Sequence, residues 1–336
     1  MLNWNRRNHR ILNRFFQTNQ SPGWAVFDWD NTCIFGDIGD AFFRWQVFQL
    51  DFRLNAAGMD RLIPTRIGRI TDLTHAGNSF SLSFIKEQIL GNYSALIKAR
   101  LKPGRSSRNA SYRDYLFYFL FLHEGLLQSP EIGYSFTYPW VVRFLAGFSP
   151  AEIKMRAKGI ASRQRRRLIR WRSISDADGR HRCGWLEGLR IYPEMKNLIR
   201  FLRELGFRVA IVTASHPDIV AGMAEGAGFV VDRLVGMSSR RRPNFGTGKV
   251  SNIRRFLDRP PIFVAGDSNS DYEMLTAFPE TGLRLLVYRG LRGRIERLYR
   301  KAAQADSGFL LQGIDPHKGC FSRQRSMVEM KHERIV

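Results

Sequence analysis

Trp24-Ala-Val-Phe-Asp-Trp-Asp-Asn-Thr32 is the stretch whose reading decides the fold. A hydrophobic run ends in two carboxylates two residues apart, followed by Asn31 and Thr32, residue types that readily leave extended structure. In a strand, positions i and i+2 share a face, so at a strand's end both groups converge on one point beyond the sheet. Carboxylates that close repel each other unless a cation or a proton intervenes. The pair therefore calls for a divalent metal and for two separate chemical jobs.

Working outward, further short β-rich runs stand at Arg208–Thr213, Phe229–Val235, Ile262–Ala265 and Leu283–Tyr288. Each is apolar almost throughout, as strands buried on both faces must be. Helical patterns separate them: one opens at Pro193 and is closed by Gly206, and two more run over Lys249–Leu257 and Ser270–Phe278. Alternating strand and helix predicts an α/β fold, a Rossmann-like doubly wound parallel sheet. Between Asp37 and about Arg190 the chain is aromatic and helical in period, with no convincing strand. The expected organisation is a basic arm or short helix over 1–19, a discontinuous core over 20–37 and 190–300, an inserted mostly α-helical domain over 38–189, and a basic tail over 301–336. Ser173 to Trp185 reads as the loop returning from the insert.

The chain has 336 residues, 44% hydrophobic and 25% charged, which is ordinary for a globular protein. Its charge balance is not ordinary: 53 Lys+Arg against 30 Asp+Glu gives +23. Such a field attracts polyanions, anionic surfaces or phosphorylated substrates without defining an activity. Cys33, Cys183 and Cys320 have neither metal-ligand spacing nor a disulfide framework. They fit a reducing, cytoplasmic compartment, with Cys33 as a small buried residue. The first twenty residues lack a secretory-type apolar core. The most apolar stretch, Tyr115 to Leu122, is too short to span a bilayer.

Three features downstream fall at strand ends or helix starts: Arg208-Val-Ala-Ile-Val-Thr-Ala-Ser215, Gly246-Thr-Gly-Lys249 and Phe263-Val-Ala-Gly-Asp-Ser-Asn-Ser-Asp271. The carboxyl ends of parallel strands face one crevice, which would bring Asp28, Asp30, Thr213, Asp267 and Asp271 together. In this order the motifs resemble the haloacid dehalogenase superfamily, within it the phosphoserine phosphatase-like hydrolases with a helical cap after the first strand. The resemblance covers about 20–37 and 190–290 and departs at Ser270, where Asn is usual.

The resemblance implies a phosphatase that needs Mg2+ and acts on a small phosphorylated substrate, such as a phospho-amino acid or phospho-amino alcohol. It implies Asp28 as nucleophile forming an aspartyl-phosphate and Asp30 as general acid and base. Thr213 would donate to the phosphoryl group, and Lys249 would neutralise charge. Asp28, the backbone carbonyl of Asp30, and Asp267 would hold the metal, supported by Asp271. A phosphotransferase or mutase on the same intermediate, and a nucleic-acid-associated protein retaining the fold, are the alternatives. Among other candidates, Ser215 is placed to line the pocket, and His216 reads as a turn residue. Asp37 and Asp40 are placed to meet a cationic substrate group or to cap a helix starting near Ala41. The run Arg240-Arg241-Arg242, with Arg241 central, suits an anionic substrate tail at the rim. Arg163 to Arg172 suits nonspecific binding to nucleic acid or an anionic surface.

Overall fold

A computed structural model describes residues 3–19, 22–100, 109–238, 243–304 and 306–327. The buried apolar runs form a seven-stranded sheet. Its order is Cys320–Phe321, Phe309–Asp315, Leu283–Tyr288, Pro261–Gly266, Trp24–Phe27, Arg208–Val212 and Arg233–Val235. Every pairing is parallel except that of Phe309–Asp315 with Cys320–Phe321. The register sets Phe27 opposite Ala265 on one side and Ile211 on the other. The three strands therefore end within a residue of one level, with Asp28 level with Gly266 and Val212 and Thr213 one residue beyond.

Helices cover both faces. Alternation turns Phe27 and Phe263 to one face and Val26 and Val264 to the other. Val26 and Val264 share an apolar cluster with Val250, Ile253, Leu298 and Tyr299 from the helices Thr247–Phe256 and Arg294–Ala303. On the opposite face lies the helix Arg6–Thr18, capped by Asn5, whose side chain accepts from the backbone N–H of Arg7 and Asn8. Its Phe16 packs edge-on against Phe207 and Phe263 at ring separations of 5.3 Å. The short-helix alternative for the amino terminus is thus realised, and its apolar stripe is part of the core.

Residues 301–336 were expected as a tail, and this is corrected for the described part. Phe309–Asp315 is a strand of the main sheet. Gln312 and Gly313 interrupt its apolar run and hide it from a periodicity reading. Gln312 is wholly buried and satisfied on both sides of its amide. Its Oε1 accepts from Asn5 N at 3.0 Å and Asn8 Nδ2 at 3.3 Å, and its Nε2 donates to Ser322 O at 2.7 Å.

The chain divides into two compact units: Met1–Ile38 with Lys154–Ile169 and Gly188–Val336, and Gly39–Ile153 with Arg170–Glu187. The segment Lys154–Ile169, expected in the insert, belongs to the sheet unit. There Leu189 N donates to Gln164 O at 3.3 Å and Arg190 Nη2 to Arg167 O at 2.7 Å.

The second unit is built around the helix Ala110–Gln128, buried continuously from Tyr115 to Leu126. A helix apolar all round is a core helix, and no helix among the described residues is long and apolar enough to cross a membrane. This unit also holds two hairpins that periodicity missed. Asp72–His75 pairs with Asn78–Ser81 around Ala76 and Gly77, both at positive φ as a type I′ turn requires. Arg170–Ser175 pairs with Arg182–Glu187, correcting the loop expected over Ser173 to Trp185. Arg170–Ser175 carries no apolar alternation, so backbone pairing rather than burial defines it.

Phe16→Ala should lower unfolding free energy by about 3–5 kcal/mol in urea titration. A loose arm would lose almost nothing.

Candidate active site

Asp28 leaves the strand Trp24–Phe27 with its own N–H still bonded to Ala265 O at 2.9 Å. Trp29 turns the other way, fully buried against Phe229 at 5.0 Å. The chain then folds back: Asn31 takes a positive φ of 58°, and Cys33 N donates to Trp29 O at 2.8 Å. Burial pushes the Cys33 thiol well up, with the Asp28 charge adding to it, so it stays protonated as a small buried residue.

Lys249 is delivered by the turn before the helix Thr247–Phe256. A Cβ on Gly248 would lie 1.9 Å from Pro243 O, so only glycine allows this entry. The approach is anchored by buried Asn244, whose Nδ2 donates to Thr213 O at 2.7 Å and Val235 O at 2.9 Å. Lys249 is fully buried, with Nζ 2.5 Å from Asp28 Oδ1 and 2.6 Å from Asp271 Oδ1. Burial disfavours its charge, but the two carboxylates outweigh that and raise its pKa.

Asp271 is immobilised. Its Oδ2 accepts from the N–H of Asp267, the N–H of Ser268 and the hydroxyl of Ser268, each at 3.1 Å. Gly266 is required here, because a Cβ would sit 2.8 Å from that of Asp271. Asp267 accepts from Thr32 Oγ1 at 3.0 Å and from Arg289 Nη1 at 2.8 Å. Thr32 also reaches Asp28 Oδ2 at 3.3 Å.

Asp30 has separate surroundings. Its Oδ1 accepts from Ile38 N at 2.8 Å and its Oδ2 from Ser215 Oγ at 2.6 Å. Thr213 Oγ1 accepts from Ser215 N at 3.0 Å, leaving its own proton to donate. Burial raises the pKa of Asp30 well above the usual range; the neighbouring Asp37 adds to this, and the hydrogen bond from Ser215 works against it. Burial likewise raises Asp28, with Asp271 adding and Lys249 opposing, and raises Asp267, with Arg289 opposing.

Among the described residues, Asp28, Asp267 and Asp271 form a buried group with ligand oxygens within 4.8 Å of one another. Hard carboxylate oxygens clustered this way suit a hard divalent cation such as Mg2+. Asp271 is the most heavily bonded of the three, with Lys249 on one oxygen and three donors of the Ser268 loop on the other, so Asp28 and Asp267 fit better as ligands. The carboxylate of Asp30 is outside the group.

The structure therefore links Asp28, Lys249, Asp267 and Asp271 directly, and joins Asp30 to Thr213 through Ser215. Ser215, expected to line the substrate pocket, donates to Asp30. Asp37 immediately precedes the helix Ile38–Gln49, which begins three residues before the expected Ala41. Asp40, expected at the substrate or as a cap, lies in that helix's first turn and pairs with buried His123 Nε2 at 3.2 Å within the second unit. His216 does open a turn, capping the helix Pro217–Ala227 by accepting from Asp218 N. Arg240, Arg241 and Arg242 lie outside the described residues. Arg163, Arg165, Arg166, Arg167, Arg170 and Arg172 are exposed.

Sequence reasoning passed over Asn244, which carried no signal, and Arg289, which carried one: it directly follows the strand Leu283–Tyr288, whose carboxyl end faces the crevice.

Residues 134–276 match the family model described as haloacid dehalogenase-like hydrolase. Over those residues the chain is similar to haloacid dehalogenase-like hydrolases, and its fold is α/β. Among solved structures, a conserved functionally unknown protein from Anaerococcus prevotii DSM 20548 is similar at TM-score 0.85 and 23% identity, over 98% of each chain. At that identity it shows the fold alone. A protein with unknown function from Bordetella pertussis Tohama I matches at TM-score 0.43 and 14% identity, over 86% of this chain and 98% of its own. Cytosolic 5'-nucleotidase IIIB bound to cytidine matches at TM-score 0.34 and 11% identity, over 88% of this chain and 82% of its own. These last two are too remote to carry an argument. No curated protein matches in sequence.

His123 is raised to about 9: burial opposes its charge, but the hydrogen bonds it donates to Asp40 and Glu124 outweigh that. A raised folded pKa stabilises fully below the unfolded value near 6.5 and is lost as pH rises through about 9. The melting temperature should therefore fall between pH 7 and 10. Asp40→Asn should flatten that fall in a calorimetric pH series.

Proposed function

We propose that the protein is a Mg2+-dependent phosphoric monoester hydrolase working through an aspartyl-phosphate on Asp28. The observation that supports this best is the difference between the two carboxylates of the opening motif. Asp28 sits against the ammonium of Lys249, which favours its anion. Asp30 sits in a dry pocket beside Asp37 that favours its protonated form. Burial raises both carboxylates, but an ammonium opposes it at Asp28 alone, and such a difference of neighbours is what a nucleophile and a general acid require.

In the first half-reaction, an Asp28 oxygen bonds to phosphorus while the ester P–O bond breaks and Asp30 gives its proton to the leaving oxygen. In the second, the Asp30 carboxylate takes a proton from water, whose oxygen bonds to phosphorus and releases phosphate and free Asp28. The Thr213 hydroxyl donates to a phosphoryl oxygen, and Lys249 neutralises charge on Asp28 and the phosphate. Asp28 and Asp267 would hold Mg2+, which when bound would supply Lewis-acid charge neutralisation. Asp271 positions Lys249 and the Asp267 loop. The small phosphorylated metabolite stays the proposed substrate class; Asp40, paired with His123, is withdrawn as an ammonium-binding residue.

Release of phosphate from a generic aryl phosphate should vanish in Asp28→Asn and fall about 10²–10⁴-fold in kcat for Asp30→Asn. Turnover that persists in EDTA would sink the reading. Transfer of phosphate to an added alcohol in preference to water would instead make the enzyme a phosphotransferase.

Because Asp30 must start protonated, kcat/KM should decline as pH rises through its raised pKa. Ser215 lowers that pKa by bonding to the carboxylate. Ser215→Ala should therefore move the alkaline limb to higher pH, and a shift in the opposite direction would remove Asp30 from the acid role.

A further inference from the structure

One charged group at the site has no part in the reaction described above. Arg289 follows the strand Leu283–Tyr288, beside the strand that ends at Gly266. Its Nη1 donates to Asp267 Oδ2 at 2.8 Å, while the other oxygen of Asp267 is taken by Thr32 at 3.0 Å. Both oxygens of a fitting metal ligand are thus occupied by donors.

The two cations that balance the acidic group differ in mobility. Lys249 is fully buried and clamped between two carboxylates. The Arg289 side chain is 32% exposed, whereas that of Asp267 is 2% exposed, so Arg289 reaches in from the solvent side and can leave by the same route. Three carboxylates facing two monovalent cations leave one negative charge uncompensated. A divalent cation added with Arg289 still in place would turn this into one excess positive charge around the three carboxylates. Cation and guanidinium therefore compete for Asp267 Oδ2. A guanidinium displaced there stands where a phosphate oxyanion must bind, and its fork matches two oxyanion oxygens.

We propose that Arg289 is an exchangeable counter-ion: it holds Asp267 in the metal-free protein, is expelled from Oδ2 by Mg2+, and then clamps the anionic group of the phosphorylated substrate. This rests on the metal-dependent reading above.

The test uses the full chain stripped of metal, as wild type, Arg289→Gln and Arg289→Lys, titrated calorimetrically with Mg2+ alone and then, when loaded, with inorganic phosphate. Arg289→Gln should bind Mg2+ about tenfold more tightly than wild type, since groups bonded to metal ligands shift affinity on that scale. Its metal-free form should melt below wild type, with the gap closing in saturating Mg2+. Phosphate should bind the loaded variant more weakly. Arg289→Lys, which keeps the charge, should fall between the two and decides the matter where the Gln variant does not fold. Equal or weaker Mg2+ binding by Arg289→Gln, or unchanged phosphate affinity, overturns the proposal while leaving the metal centre standing. Wild type that binds no Mg2+, or binds it equally well as Asp267→Asn, overturns both readings.

Discussion

Lys249 lies fully buried between Asp28 and Asp271, and the rest of the site is arranged around that contact. Taking such charges out of water costs several kcal/mol per ion even after relaxation, which only close geometry and further hydrogen bonds repay. The contact ties three segments far apart in sequence to one point at the carboxyl end of the sheet. It also explains apparently unrelated features: glycine at 248 and 266, where a Cβ would collide, and Asn244 bridging two strand ends to the lysine turn. Losing any one partner would strand a buried charge, so these positions stand or fall together.

The same strand end separates two chemistries by environment alone. Asp28 and Asp30 are alike in kind and two residues apart, yet one faces an ammonium and the other a serine hydroxyl and a backbone amide. Burial raises both, and neighbours decide by how much. The Ser215 hydroxyl does for Asp30 what Asp271 does for Lys249: it sets the orientation of a reacting group without itself needing to meet the substrate.

Much of the site was legible before the structure because it depends on local chemistry. A hydrophobic run ending in Asp-x-Asp-x-Thr, a strand ending in Thr213, a glycine turn before Lys249 and a Gly-Asp-x-x-x-Asp loop each announce a strand end or helix start. The sheet aligns such ends by register. Less legible were residues whose partners are distant. Asp40 looked available to a ligand because nothing in the sequence links it to His123, and Ser215 looked like a pocket wall because its partner is 185 residues away. Strand Phe309–Asp315 was hidden by a buried glutamine whose hydrogen bonds reach Asn5 and Asn8 at the amino-terminal helix and Ser322.

By itself, then, the sequence determined the α/β alternation, the positions where strands end, and the residue types gathered there, since these follow from apolar periodicity and the chemistry of turns. Tertiary structure alone decided which carboxylate meets which cation. It also decided that Lys154–Ile169 packs with the sheet unit and that Arg289 rests on Asp267. The physical reason is that burial and charge pairing depend on distances between segments that local pattern does not encode. A side chain's partner is chosen by the fold, after its type has been chosen by the sequence.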